Sequence, residues 1–302
     1  MRVAVTGATG FTGRRVVAEL LRRGHAVRAL VRPPAGRLTA EHPLARAPHG
    51  RSPEVETVEG SLEDASPLAR LLAGSDALLH VASLGFGHAE AVVSAVESAG
   101  VARAVFFSST ALFTHLPAAS RAVRVAAEDR VRSMRGDWTL LRPTMIYGDA
   151  GDRNLSRLIR FVARSPVVPL PGGGRALVQP VHVDDLGRAA VDALECAAAA
   201  RHEYNLPGAE AAPLRELVLH VARLLERRVV LLPLPLGPIA AFAGLWQKLS
   251  LPPRVSSEQL LRLAEDKAFS YEDARRDWGY SPRGFREGLA AEVRLLRDSG
   301  WI

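Results

Sequence analysis

The 302-residue chain is 48% hydrophobic with a formal net charge of +7, enough apolar residues to bury a large core as one big domain or one domain with an elaboration. Its single cysteine, Cys196, excludes a disulfide framework and any cysteine-based metal cluster. The positive charge is almost all arginine, spread along helical segments without interleaved aromatics, and lysine occurs only at Lys248 and Lys267; nucleic acid is therefore not the expected partner, although anionic ligands fit the charge.

Val3–Val5 reads as a β-strand, not as a secretory signal, so a reduced, cytoplasmic setting is expected. It runs straight into Thr6-Gly7-Ala8-Thr9-Gly10-Phe11-Thr12-Gly13. That spacing predicts a tight turn at Gly7, a main chain bare enough at Gly10 to approach a pyrophosphate, and close helix packing at Gly13. The helix, expected over Phe11–Arg23, would offer its free N–H groups and positive dipole end to phosphates. Dinucleotide binding is the reading.

Apolar runs recur at Ala26–Val31, Val55–Val58, Ala77–Ala82, Ala104–Ser108 and Trp138–Leu141. Helical patterns alternate with them at Pro67–Ala73, Ala89–Ala99 and Arg121–Met134. This alternation predicts a doubly wound α/β fold, a parallel sheet of Rossmann type covered on both faces. Pro33–Pro53, rich in Pro, Arg and His without periodicity, reads as a surface loop over the adenosine end of the ligand. From Tyr147 the pattern loosens. Pro166, Pro169, Pro171 and Gly172–Gly174 mark a loop, and helices are expected at Val183–Ala199, Leu214–Arg227, Ser256–Ala264 and Phe285–Arg297. The expected division is a dinucleotide-binding domain of residues 1–146 plus about 181–206, and a smaller, mainly helical substrate-side region of 147–180 plus about 207–302. Val229–Trp246 carries no charge, but Pro233, Pro235, Gly237 and Pro238 would break a helix. A buried or lid-forming segment is expected there, with membrane contact through 229–251 as the alternative.

Several stretches fall in one order: the glycine loop, Leu30-Val31-Arg32, His80-Val81-Ala82-Ser83, Phe106-Phe107-Ser108-Ser109-Thr110, Leu141 to Gly148, and Gln179 to Asp185. With the closing Trp278-Gly279-Tyr280-Ser281-Pro282-Arg283, they resemble the extended or atypical short-chain dehydrogenase/reductase superfamily, the epimerase and dehydratase relatives. Within it the chain looks most similar to the branch holding the NAD(P)H-binding accessory subunit of respiratory complex I. The resemblance implies a cofactor held by Thr6, Gly7, Thr9, Gly10, Phe11, Thr12 and Gly13, by Val81, Ala82, Ser83 and Ser108 at strand ends, and by Pro143, Thr144, Met145 and Ile146 beside the nicotinamide. The acidic adenine contact usual after the third strand is replaced here by Gly60-Ser61-Leu62, leaving Ser61, Leu62 and the following Glu63 or Asp64 to fill it.

NAD sites usually place a carboxylate after the second strand, to hold the ribose 2′-hydroxyl, whereas NADP sites place an arginine there. Here that strand ends on Arg32, and Arg14 past the glycine loop could join it on a 2′-phosphate. NADP(H) is the expected cofactor, with NAD(H) as the alternative.

The catalytic pattern departs from the superfamily. Thr110, with Ser109 beside it, matches the expected hydroxyl, but Ser120 stands where tyrosine is expected and Arg124 where lysine is expected. No tyrosine precedes Tyr147 and no lysine precedes Lys248. Serine is a poor acid and arginine holds its proton. Arg124 could bind ribose or an anion, and among His80, His88 and His115 the last is the first candidate for a replacement acid. Tyr147 reads as a packing residue. His182, Asp184 and Asp185 read as a helix cap, Asp184 or Asp185 being the N-cap, in preference to a metal site. No metal is expected, and no Gly-x-Ser-x-Gly elbow suggests a hydrolase. Three functions fit: an NADP-dependent oxidoreductase or epimerase-like enzyme with a non-standard acid and an apolar small-molecule substrate; a non-catalytic NADP(H)-binding structural, sensor or assembly protein; and a peripheral membrane partner.

Overall fold

The computed structural model describes residues 1–32, 55–116, 119–152, 154–237 and 262–302. The loop expected at Pro33–Pro53 and the helix expected from Ser256 lie outside them, except for its last few residues. In chain order the first half holds β1 (Arg2–Thr6), α1 (Gly13–Arg22), β2 (Ala26–Val31), β3 (Val55–Glu59), α2 (Ala65–Leu72), β4 (Ala77–His80), α3 (Ala89–Ala99), β5 (Arg103–Phe107), α4 (Ala119–Arg132) and β6 (Asp137–Pro143). The second half holds β7 (Ile146–Tyr147), α5 (Leu155–Arg164), β8 (Val167–Pro171), β9 (Leu177–Val178), β10 (Val181–His182), α6 (Val183–Glu195), β11 (His202–Leu206), β12 (Ala212–Pro213), α7 (Leu214–Leu224), β13 (Val230–Leu234), α8 (Glu272–Trp278) and α9 (Phe285–Asp298).

The main sheet has the order β11-β6-β5-β4-β1-β2-β3, every pair parallel. The chain direction across it reverses between β1 and β4, and the carboxyl ends of such a pair open the crevice in which doubly wound folds bind ligands. Strand alternation sends Val3, Val5, Val105 and Phe107 to one face, under α1 and α6, with Val16, Leu20, Leu186 and Ala190. Ala4, Ala104 and Phe106 go to the other face, under α2, α3 and α4, with Leu68, Val92 and Val131. Each fully buried aliphatic side chain of this kind contributes about 1.5–3 kcal/mol. A third cluster, around Tyr147, Ile159, Leu217, Phe285 and Leu289, packs α5, α7 and α9 together.

Four expectations change. α1 begins at Gly13, because Phe11 and Thr12 remain in the turn. The segment read as a loop at Pro166–Pro171 is strand β8, paired in parallel with β13; prolines are tolerated there because the ribbon has only two strands and each is an edge. β11, in a sequence that signals no strand, completes the sheet beside β6. The described part of the apolar segment is β13 and its exit; Val230 is 64% and Leu232 46% exposed, so this part is a surface ribbon and not a buried strand. No helix among the described residues is long and apolar enough to cross a membrane.

Candidate dinucleotide and substrate site

At the crevice, Gly7 has φ +69°, and a Cβ there would lie 2.7 Å from the backbone nitrogen of Ala82 at the end of β4. Glycine is needed for both reasons. A Cβ at Gly13 would sit 1.9 Å from the Gly7 carbonyl oxygen, so only glycine lets α1 start this close to the turn. The turn is closed by the Gly10 N–H donating to the Gly7 carbonyl at 2.9 Å. The N–H groups of Phe11, Thr12 and Gly13 have no acceptor among the described residues, and the first turn of α1 holds no acidic side chain. A helix N-terminus with free donors and no internal counter-charge fits a pyrophosphate.

A single cavity of about 1810 Å³ runs from this turn into the substrate-side region. That is larger than the ~300–1,000 Å³ typical of a small-ligand pocket, leaving room for a dinucleotide and a second ligand. One end is bounded by Leu30, Arg32, Ser61, Leu62 and Glu63; Gly7, Thr9, Gly10, Phe11, Thr12 and Gly13 follow. Val81, Ala82, Ser83, Ser109, Thr110, Thr144, Met145 and Ile146 line the middle. Arg32 is exposed and has no hydrogen-bond or ion-pair partner among the described residues.

Other expected site residues are turned to structural tasks. Thr6 is fully buried, its hydroxyl 2.8 Å from His80 Nδ1. His80 is itself fully buried, and desolvation pushes its pKa down to about 3, so it is a core residue and no proton donor. The Ser108 hydroxyl donates to Glu128 at 2.5 Å, inside a buried network in which Arg142 Nε also donates to Glu128 at 2.9 Å. The Pro143 carbonyl accepts the Thr110 hydroxyl at 3.2 Å. Arg14 does not join Arg32: its guanidinium pairs with Asp149 and lies over the Phe11 ring. Asp64 does not line the cavity, whereas Glu63 does.

Of the candidate catalytic groups, Ser109, Thr110 and His115 line the cavity with His88, while Ser120 and Arg124 do not. Ser109 caps the 3-10 turn Thr110–Phe113 by accepting the Ala111 N–H. Arg124 donates to the Ser120 carbonyl at 2.9 Å and packs beneath Gly85, where a Cβ would meet its guanidinium at 3.1 Å. Its pKa is lowered by burial and then by Arg262. Tyr147 is fully buried edge-on to His182, its hydroxyl unpartnered and its pKa raised chiefly by desolvation.

The cap of α6 is His182, whose Nδ1 accepts the Asp184 N–H at 3.2 Å; neither Asp184 nor Asp185 is the N-cap. Asp185 instead binds Arg283, through its backbone N–H at 3.0 Å and its guanidinium at 3.1 Å, and so ties the closing Ser-Pro-Arg segment to α6. Among the described residues, no group of three His, Cys, Asp or Glu side chains is placed to hold a metal.

The profile of a family described as NAD(P)H-binding matches residues 7–160, the stretch that holds the glycine turn and β2 to β6. The chain belongs to that NAD(P)H-binding family. Its fold is that of the epimerase/dehydratase-like extended short-chain dehydrogenase/reductases: a nucleoside-diphosphate-sugar epimerase from Pseudomonas aeruginosa superposes with TM-score 0.78 at 19% identity, covering 100% of this chain and 99% of that one. A ceramide reductase from Caulobacter vibrioides is 36% identical over 194 residues, 61% of this chain and 57% of that protein's length. A 2-alkyl-3-oxoalkanoate reductase from Stenotrophomonas maltophilia is 27% identical over 96% of this chain and 97% of its own length. These relatives bear on the superfamily and not on the complex I branch within it.

The residues present fit a nicotinamide dinucleotide: the free N–H groups and open glycine turn would meet the pyrophosphate, Arg32 and Ser61 the adenosine end, and Thr144 to Ile146 the ring. Two parts of the cavity were not legible in sequence. One is the apolar far half from α5, β8 and α7. The other is the cluster of Arg262, Glu265, Asp266, Lys267 and Phe269, brought in from the C-terminal segment.

Proposed function

We propose that the chain is an NADP(H)-dependent reductase of an apolar oxo compound, working in a reducing, cytoplasmic setting without the usual tyrosine–lysine pair. The observation that carries this is the cavity beyond Met145. Leu155, Leu158, Phe161, Val168, Leu170 and Val218 line it, and such a wall pairs with an alkyl chain and leaves the hydroxyls of a sugar nucleotide without partners. Two relatives named for reduction of a ceramide and of a 2-alkyl-3-oxoalkanoate support the same substrate class. Arg32 at the adenosine end, without a partner among the described residues, supports NADP(H) over NAD(H).

The residues would divide the work as follows. Phe11, Thr12 and Gly13 hold the pyrophosphate by backbone N–H groups, and Arg32 holds the 2′-phosphate. Thr144, Met145 and Ile146 set the nicotinamide face. When bound, the reduced nicotinamide supplies hydride. Ser109 sits beside the reacting carbonyl, and the apolar wall excludes water.

The test is a panel of 3-oxo esters of rising chain length and a UDP-sugar, each assayed for NADPH oxidation. kcat/KM should rise by about 3-fold or more per added CH2 until the wall is filled, from ~0.8 kcal/mol per buried CH2. Turnover of the UDP-sugar alone would overturn the reading. A non-catalytic NADP(H)-binding role is the second reading, favoured by the absence of tyrosine before Tyr147; NADPH binding without oxidation by any carbonyl would select it.

A further inference from the structure

Reduction of a carbonyl needs a proton, and the superfamily's usual donor positions do not supply one here. Ser120, which stands where tyrosine is expected, does not line the cavity, Thr110 donates to Pro143, and Tyr147 is sealed in the core. A cation reaches the cavity from another part of the chain. Over residues 265–269 burial alternates, with Glu265, Lys267 and Phe269 partly buried and Asp266 and Ala268 exposed. This period of two places the first three side chains on one side. Two of them are fixed against the loop that follows Thr110. Glu265 accepts the Thr114 hydroxyl at 2.7 Å and the His115 N–H at 2.9 Å, and the Phe269 ring lies 5.6 Å from Phe113.

Lys267 stands between these anchors and lines the cavity together with Thr110, Ala82 and Thr144. Its backbone is held from the other side, where its N–H donates to the Leu177 carbonyl at 2.8 Å and Asp266 accepts the Leu177 N–H at 2.8 Å. One ammonium N–H bonds the Arg262 carbonyl. An ammonium has three N–H donors, so with no further partner among the described residues two are left for a ligand.

We propose that Lys267 is the proton donor to the substrate oxygen, in the role that the superfamily gives to tyrosine. The assignment rests on the reductase reading above. As hydride from reduced nicotinamide forms the new C–H bond, the carbonyl π electrons move to oxygen, a Nζ–H bond breaks, and that proton passes to the oxygen. The neutral amine then takes a proton from water. Among the described residues, the charged and titratable groups around Lys267 are Arg262, Glu265 and Asp266 on its own segment and His115 on the facing loop, and Arg124 of α4 interacts electrostatically with Arg262. Burial and then Arg262 lower the Lys267 pKa, with Glu265 opposing them. A donor must be protonated to act, so kcat should fall on the alkaline side at a pH below the ordinary lysine value.

The experiment compares the full chain with Lys267→Met, Lys267→Arg and Lys267→Ala, using NADPH and a long-chain 3-oxo ester. All should bind NADPH within about twofold of the parent while kcat drops by about 10²–10⁴-fold, the usual range for a lost general acid. The alkaline limb should vanish in Lys267→Arg, and ethylamine should partly restore Lys267→Ala. A second readout needs no turnover. The chain has only two lysines, so amine acylation mapped by mass spectrometry should label Lys267 at lower pH than Lys248, with protection by the oxo ester. Unchanged kcat and pH profile in Lys267→Met, or labelling indifferent to the ester, would overturn the assignment alone. A parent protein that binds NADPH and reduces no carbonyl would overturn both the reductase reading and the assignment.

Discussion

Arg32→Ala separates a phosphate-reading arginine from a solvated one. Arg32 directly follows β2 at the adenosine end of the cavity, exposed and without a partner among the described residues. A charge-assisted hydrogen bond contributes about 1.5–3 kcal/mol when sheltered. Exposure and salt reduce this to roughly 1–2 kcal/mol. That corresponds to about a 5- to 30-fold rise in the Kd of NADPH. NADH has no 2′-phosphate, so its Kd should move by less than about twofold. The assay is nucleotide fluorescence titration of both proteins with both cofactors, at low salt and at 0.3 M salt. The parent should also lose more NADPH affinity with salt than the variant. Equal loss for the two cofactors, or a parent that prefers NADH, would refute the reasoning.

Glu128 is buried and accepts from Ser108 and Arg142, and Arg142 also pairs with Glu203, so Glu128→Ala removes charge-assisted bonds without leaving the guanidinium unpaired and should cost about 1.5–3 kcal/mol in urea unfolding; a cost under about 0.5 kcal/mol would contradict the network. Glu292 is fully buried, and desolvation followed by Asp152 and Asp149 pushes its pKa up to about 10 from 4.5. The folded state therefore keeps a proton that the unfolded chain releases, and stability falls as pH rises through that window. Glu292→Gln should give no gain near pH 4 and a gain that grows by at most about 1.4 kcal/mol per pH unit toward pH 8. The same shift in denaturation midpoint at both pH values would show that Glu292 is not the group titrating.

The parts legible in sequence were those whose chemistry is local. Gly7, Gly10 and Gly13 announce a strand–turn–helix because steric need at each position is set by neighbours a few residues away, and the buried parallel strands show as continuous apolar runs. β11 was missed because His202-Glu203-Tyr204-Asn205-Leu206 is half polar; its pairing with β6 and the packing of Tyr204 against Trp278 override local preference. Ser108, Thr6 and Arg14 sit in or beside matched motifs, yet their partners Glu128, His80 and Asp149 are 20 or more residues away and take them out of the crevice. Lys267 was passed over for the complementary reason. It lies 157 positions after Thr110, and only the alternation over 265–269, anchored at Thr114 and Phe113, brings it to the cavity.

The central claim is that hydride passes from a nicotinamide bound at the glycine turn to an apolar carbonyl in the same cavity. The most direct measurement is deuterium transfer: NADPH deuterated at one C4 face is incubated with the protein and a long-chain 3-oxo ester, and the carbinol carbon is read by mass spectrometry. The account predicts one deuterium per product molecule from one face only, and none from the other. Product lacking deuterium from either face, or NADPH that stays unoxidised while bound, would contradict it.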